Sequence, residues 1–160
     1  LEVGEVFDAD TLQALLHAPW PEQASNAQVR AILLYPPTPP DPQLPVVQAP
    51  ELPAHWLTQP ETLRLVVIDG TWRKSRKMLY LNPGLQQLPR LSLLDVPAGR
   101  YAIRKAHAPG QLSSFEAAAL ALAQLHGWQA DSHPMQQLMC SFEQAMQLHQ
   151  RLQHLPAHAD

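Results

Sequence analysis

Asp69 follows an apolar run directly and precedes a cation-rich stretch, in Ile68-Asp69-Gly70-Thr71-Trp72. A carboxylate held by fixed backbone in a partly dry setting is suited to take a proton as general base. Two other places carry comparable potential. Leu34-Tyr35-Pro36 ends another apolar run, and the stretch from Ile103-Arg104-Lys105 through Leu112-Ser113-Ser114 brings cations and hydroxyls. Ligands of open α/β sheets bind beyond the carboxyl ends of the strands, so residues just after each strand are where function is sought. The structural alternative is that Asp69 caps the helix after it, a role Asp performs well.

The elements that must position these residues follow from periodicity and punctuation. Asp8 or Asp10 caps a short helix through Leu16 that ends before Pro19. Val29 to Tyr35 is a strand stopped by Pro36-Pro37. Nine prolines in the 25 residues from Pro36 to Pro60 make a surface loop. Leu63 to Ile68 is nearly all apolar, as a strand buried on both faces would be. Thr71 to Leu81 is a helix with its cations on one side, closed by Asn82-Pro83-Gly84. Leu91 to Val96 and Tyr101 to Arg104 are short strand candidates. Ser113-Ser114-Phe115-Glu116 has the spacing of a capping box ahead of a helix ended by Gly127. Met135, Leu138, Met139, Phe142, Met146, His149 and Leu152 form one apolar stripe of a last helix at about 133–154. Strands alternating with helices predict an α/β fold with a mostly parallel sheet flanked by helices.

At 160 residues the chain is expected to be one domain, 1–160. No run approaches the roughly 20 apolar residues that cross a bilayer, so a membrane partner is not expected. The single cysteine, Cys140, excludes an internal disulfide, and the eight histidines lack metal-ligand spacing, so no metal site is expected in this chain. A reducing cytoplasm fits. The chain opens on Leu1, and the native start is expected upstream. The net charge of −3 hides a polarised arrangement. From Arg73 to Lys105 eight cations face Asp95 alone, while the remainder carries three cations and thirteen acids. One basic face on an acidic body is the footprint of a nucleic-acid binder; the alternative is an ordinary solvated surface. No protein partner is evident.

Ile68-Asp69-Gly70-Thr71-Trp72-Arg73-Lys74-Ser75-Arg76-Lys77-Met78 closely resembles the D-x-T-W signature of the DTW-domain family. Tyr101-Ala102-Ile103-Arg104-Lys105, with Leu112-Ser113-Ser114-Phe115-Glu116-Ala117, resembles that family's second block, an R-Y-x-[IL]-R stretch and then L-[SC]-[ST]-x-E-[AV], and Leu33-Leu34-Tyr35-Pro36 its strand-end L-L-Y-P. Ser114 stands where Thr is more usual and keeps the hydroxyl. The resemblance covers Leu1 to Leu125. Family members usually begin with a cysteine-rich segment and an H-P-x-E block followed by N-T; this chain carries neither, as a fragment or shortened paralogue would.

The resemblance implies a SPOUT-like fold, related to methyltransferases that carry a C-terminal trefoil knot. It implies transfer of the 3-amino-3-carboxypropyl group of S-adenosylmethionine to N3 of a uridine in tRNA. Asp69 would take the N3 proton. Leu34, Tyr35, Pro36, Ile68, Gly70, Thr71, Leu112, Ser113 and Ser114 would line the cofactor site. Arg104 or Lys105 would hold the cofactor carboxylate or stabilise a developing uridine oxyanion. The helix start at Ser113-Ser114 offers backbone N–H groups to an anion, with the capping box as the structural account. Trp72 would stack on a splayed uridine, or else be a buried helix-start tryptophan. Arg73, Lys74, Arg76, Lys77, Arg100 and Lys105 would track RNA phosphates, Lys74 and Lys77 with plain solvated surface as the alternative. Two rivals stay open: an RNA methyltransferase using the same cofactor, and a non-catalytic RNA-binding module.

Overall fold

The computed structural model describes residues 3–21, 28–93 and 114–153. Helix α1 spans Ala9–His17, and its cap is Asp8, whose carboxylate accepts from the Thr11 N–H at 2.9 Å. Strand β1 is Arg30–Leu34, strand β2 is Leu63–Val66, helix α2 is Trp72–Leu81, helix α3 is Pro83–Gln86 and strand β3 is Arg90–Leu91. Two short 3-10 helices, Ala54–Trp56 and Pro60–Thr62, precede β2, and helices α4, Ser114–His126, and α5, His133–Gln153, complete the described elements. The strands form a parallel sheet in the order β2-β1-β3.

The nearly all-apolar run at Leu63 to Ile68 is expected to be buried on both faces, and the structure corrects this. β1 is central and buried along its middle, whereas β2 lies at the edge, ends at Val66 and is mostly half-buried. The polar residue in β2 explains its place. Arg64 donates from Nη1 to the Leu15 carbonyl at 2.5 Å and from Nη2 to the Ala18 carbonyl at 2.6 Å. It thereby satisfies carbonyls that the end of α1 leaves without helical partners, and puts positive charge at the negative end of the helix dipole. Trp20 lies under its guanidinium at 4.1 Å.

Successive residues of β1 face opposite sides of the sheet. Ala31, Leu33 and Tyr35 pack with Leu12 and Leu16 of α1, Leu79 of α2 and Leu85 of α3. Ile32 packs with Leu91 and with Ala121 of α4 on the other side. A further cluster joins α4 to α5 through Ala119, Ala123, Met135 and Met139, with Phe115 and Phe142 stacked at 4.4 Å. Gly127 ends α4 at φ 64°, and the Trp128 N–H reaches back to the Ala123 carbonyl at 2.8 Å. The predicted stop at Asn82 holds, and Pro83 at once begins α3. Asn82 is buried and pins the segment before α1: it accepts from the Phe7 N–H at 2.9 Å and donates to the Glu5 carbonyl at 2.8 Å. The strand expected at Leu91 to Val96 appears as Arg90–Leu91, with its later part outside the described residues, as is the strand expected at Tyr101 to Arg104. Among the described residues no helix is long and apolar enough to cross a membrane.

Candidate active site at the carboxyl end of the sheet

Parallel strands put the residues that follow β1 and β2 at one end of the sheet, and the first turn of α4 reaches the same end. Asp69, three residues past β2, accepts a hydrogen bond from the Ser114 hydroxyl at 2.5 Å. Forty-five residues of sequence separate the two. The expected dry setting is not what the structure shows: Asp69 is exposed, and Ser114 is half-buried. The capping alternative for Asp69 is overturned as well. The N-cap of α2 is Thr71, whose hydroxyl accepts from the Lys74 N–H at 3.4 Å, so the carboxylate of Asp69 is not used by the helix. Gly70 between them holds φ 152°, a conformation that side-chain-bearing residues rarely adopt.

Trp72 begins α2 and is 58% exposed, which overturns the buried alternative. Its ring meets Tyr35 edge-on at 5.7 Å. Tyr35 is a core residue with a polar tip. The Ser75 hydroxyl donates to the Trp72 carbonyl at 3.1 Å, so at 3.2 Å the Tyr35 phenol is the donor to Ser75. Arg90 sits over the Tyr35 ring at 5.5 Å and donates to the Thr38 hydroxyl at 2.9 Å. Burial pulls the Arg90 guanidinium below its ordinary proton affinity; the Tyr35 phenol opposes that shift and the charge of Arg76 adds to it. Of the other expected lining residues, Leu34 and Ile68 are half-buried on opposite faces of the sheet, and Pro36 is exposed. Arg100, Arg104, Lys105, Leu112 and Ser113 lie outside the described residues.

The four cations of α2 divide into two pairs. Arg76 is half-buried and ties down the proline-rich loop, with its Nε 3.5 Å from the Asp41 carboxylate and 3.3 Å from the Leu44 carbonyl. Lys77 is paired with Glu5 at 2.5 Å, and this contact holds the Glu5 carboxyl below its ordinary value. Arg73 and Lys74 are exposed, and the charge of Lys74 also helps to lower Glu5. Sequence reasoning counted Arg90 in the basic stretch without placing it at the site, and overlooked Ser75 and Thr38. The signal for Ser75 was a polar residue four after the cap, on the face of α2 that turns inward. A cavity of about 310 Å³ opens instead at the amino end of the strands, between Arg30, Trp56, Gln13 and Gln87, and contains none of the expected site residues. Among the described residues no cluster of His, Cys, Asp or Glu could hold a metal ion.

The profile of the DTW domain matches residues 2–151. The chain belongs to the DTW-domain family. This DTW-domain chain is also similar to tRNA-uridine aminocarboxypropyltransferase 2 of Drosophila melanogaster, 39% identical over 61 residues. The match spans 38% of the chain and 24% of the relative. No solved structure matches. The D-x-T-W residues of the family are therefore those gathered at the carboxyl end of the sheet, with Asp69 on Ser114, Thr71 as the cap and Trp72 against Tyr35.

Proposed function

We propose that this domain transfers the 3-amino-3-carboxypropyl group of S-adenosylmethionine to N3 of a uridine in tRNA. The family membership and the name of the Drosophila relative support a tRNA-modifying transferase. The observation that carries the finer reading is Asp69 itself, a carboxylate that the helix does not consume, held by Ser114 beside an exposed tryptophan.

A uridine N3–H is a weak acid and must lose its proton before N3 attacks. Asp69 receives that proton, with Ser114 fixing one of its oxygens. N3 then bonds to the γ-methylene carbon, the carbon–sulfur bond breaks, and the electron pair leaves with the thioether as 5′-methylthioadenosine. Three carbons on the sulfonium are open to attack, so alignment of the nucleophile selects the product. Trp72 offers a face for a splayed base, and Arg73 and Lys74 offer exposed charge to the adjoining phosphates. The remaining expected contacts, from Leu34, Tyr35, Pro36, Ile68, Gly70, Thr71, Leu112, Ser113 and Ser114 to the cofactor and from Arg100, Arg104 and Lys105 to either ligand, belong to this proposal. So do kinship to the SPOUT-like fold with its knot, a single domain, and work in the cytoplasm.

The test incubates full-length protein with tRNA and S-adenosylmethionine labelled in the aminocarboxypropyl carbons. Label in a uridine nucleoside together with methylthioadenosine is expected. S-adenosylhomocysteine as the by-product would make the protein a methyltransferase, and tRNA binding without cofactor binding would make it a non-catalytic module.

A further inference from the structure

Buried polar atoms without partners are rare in folded proteins, and each asks for an explanation. Among the described residues Arg30 and Arg64 each bury one unpartnered guanidinium nitrogen, Nε, whereas Arg90 buries two, Nε and Nη2. The Nη1 of Arg90 is already used by Thr38, so the unpartnered pair is one whole edge of the guanidinium. That edge presents two parallel N–H groups, the geometry that matches a carboxylate in a two-point contact. Asp41 is paired with Arg76, and Arg76 itself adds positive potential at Arg90. A half-buried guanidinium with three of its five N–H groups shielded from water and unpartnered is costly until an acceptor joins it.

Arg90 also stands in the right place. It contacts the Tyr35 ring, and Tyr35 contacts Trp72, the residue three after Asp69. We propose that the Nε/Nη2 edge of Arg90 anchors the α-carboxylate at the amino-acid end of the aminocarboxypropyl donor. This rests on the reading given under Proposed function and adds to it the residue that recognises the transferred group. Both nitrogens are shielded from water, and Thr38 holds the opposite nitrogen, Nη1, by one hydrogen bond.

The experiment measures by calorimetry the binding of S-adenosylmethionine, and of its decarboxylated analogue, to the full-length protein. The analogue keeps the sulfonium and the amine and lacks only the carboxylate. Wild type is expected to prefer the complete ligand by about 10- to 100-fold, the range for a charged hydrogen-bonded contact. Arg90→Gln is expected to lose about that factor for S-adenosylmethionine and less than about threefold for the analogue, and Arg90→Lys is expected to restore part of it. Equal affinities in wild type would overturn the anchor without any variant having to fold, and would leave the transferase reading standing. Equal losses of both ligands in Arg90→Gln would make Arg90 a structural residue. A loss confined to tRNA binding, with a shallower salt dependence, would assign the edge to a phosphate and overturn the carboxylate. Binding of neither ligand by wild type would remove the donor, and the anchor with it.

Discussion

Arg64 and Arg90 occupy the two outer strands of the same small sheet, and burial draws both guanidinium groups below their ordinary proton affinity. Their surroundings differ. Arg64 spends both terminal nitrogens on the closing carbonyls of α1 and sits over Trp20. Arg90 spends one nitrogen on Thr38 and leaves an edge idle beside Tyr35. Burial is therefore a poor guide to whether a charged residue serves the fold or a ligand. What separates the two is how much of the donor capacity the protein itself consumes. At the α1 end Arg64 is left with Nε alone unpartnered, whereas at the carboxyl end of the sheet Asp69, Trp72 and Arg90 each keep more capacity to spare.

That contrast can be broken by substitution. The largest effect is expected from Asp69→Asn, which keeps the shape and cannot take a proton. Transfer in the full-length protein should fall by at least about 100-fold, with thermal melting unchanged because the side chain is exposed. Turnover within about tenfold of wild type would remove Asp69 as the base. Arg64→Met should do the reverse. Two charge-assisted bonds to carbonyls are lost, and urea unfolding should report about 2–4 kcal/mol of destabilisation, with cofactor affinity unchanged in the fraction that remains folded. A stable Arg64→Met protein with weakened cofactor binding would erase the distinction between the two arginines.

A smaller effect sharpens the contrast within α2. Neutralising Arg73 and Lys74 together should make the slope of log tRNA affinity against log salt shallower by about 1.4 to 1.8, at roughly 0.7 to 0.9 per phosphate contact. Neutralising Arg76 and Lys77, whose charges Asp41 and Glu5 already meet, should change the slope by less. Equal changes from the two pairs would mean that RNA displaces both carboxylates. The smallest effect concerns acid. The Lys77 hydrogen bond and charge lower the folded-state value of Glu5, so its contribution to stability is present above the ordinary glutamate value of 4.5 and is lost as pH falls through the lower, folded-state value. Asp8, lowered by the Thr11 backbone and hydroxyl, behaves alike below 3.8. Glu5→Gln should flatten the first part of that acid limb in pH-dependent melting, and an unchanged limb would show that the pair contributes nothing in solution.

The residue pattern alone determined the local elements and the family. A cap at Asp8 or Asp10 ahead of Thr11, the prolines after Tyr35, Gly127 past the leucine- and alanine-rich run and the D-x-T-W block after an apolar strand all act through backbone preferences within a few residues of themselves. The same local rules could not say which apolar run is central, because Leu63–Val66 and Arg30–Leu34 look alike until their neighbours are known. They could not decide whether Asp69 caps the helix, and the cap at Thr71 left Asp69 available to Ser114. Tertiary structure also decided which cations of α2 are already paired, and that one edge of Arg90 is buried without a partner. Each of these turns on contacts between residues far apart in the chain, where a side chain's role depends on what the fold brings to it rather than on what stands beside it in sequence.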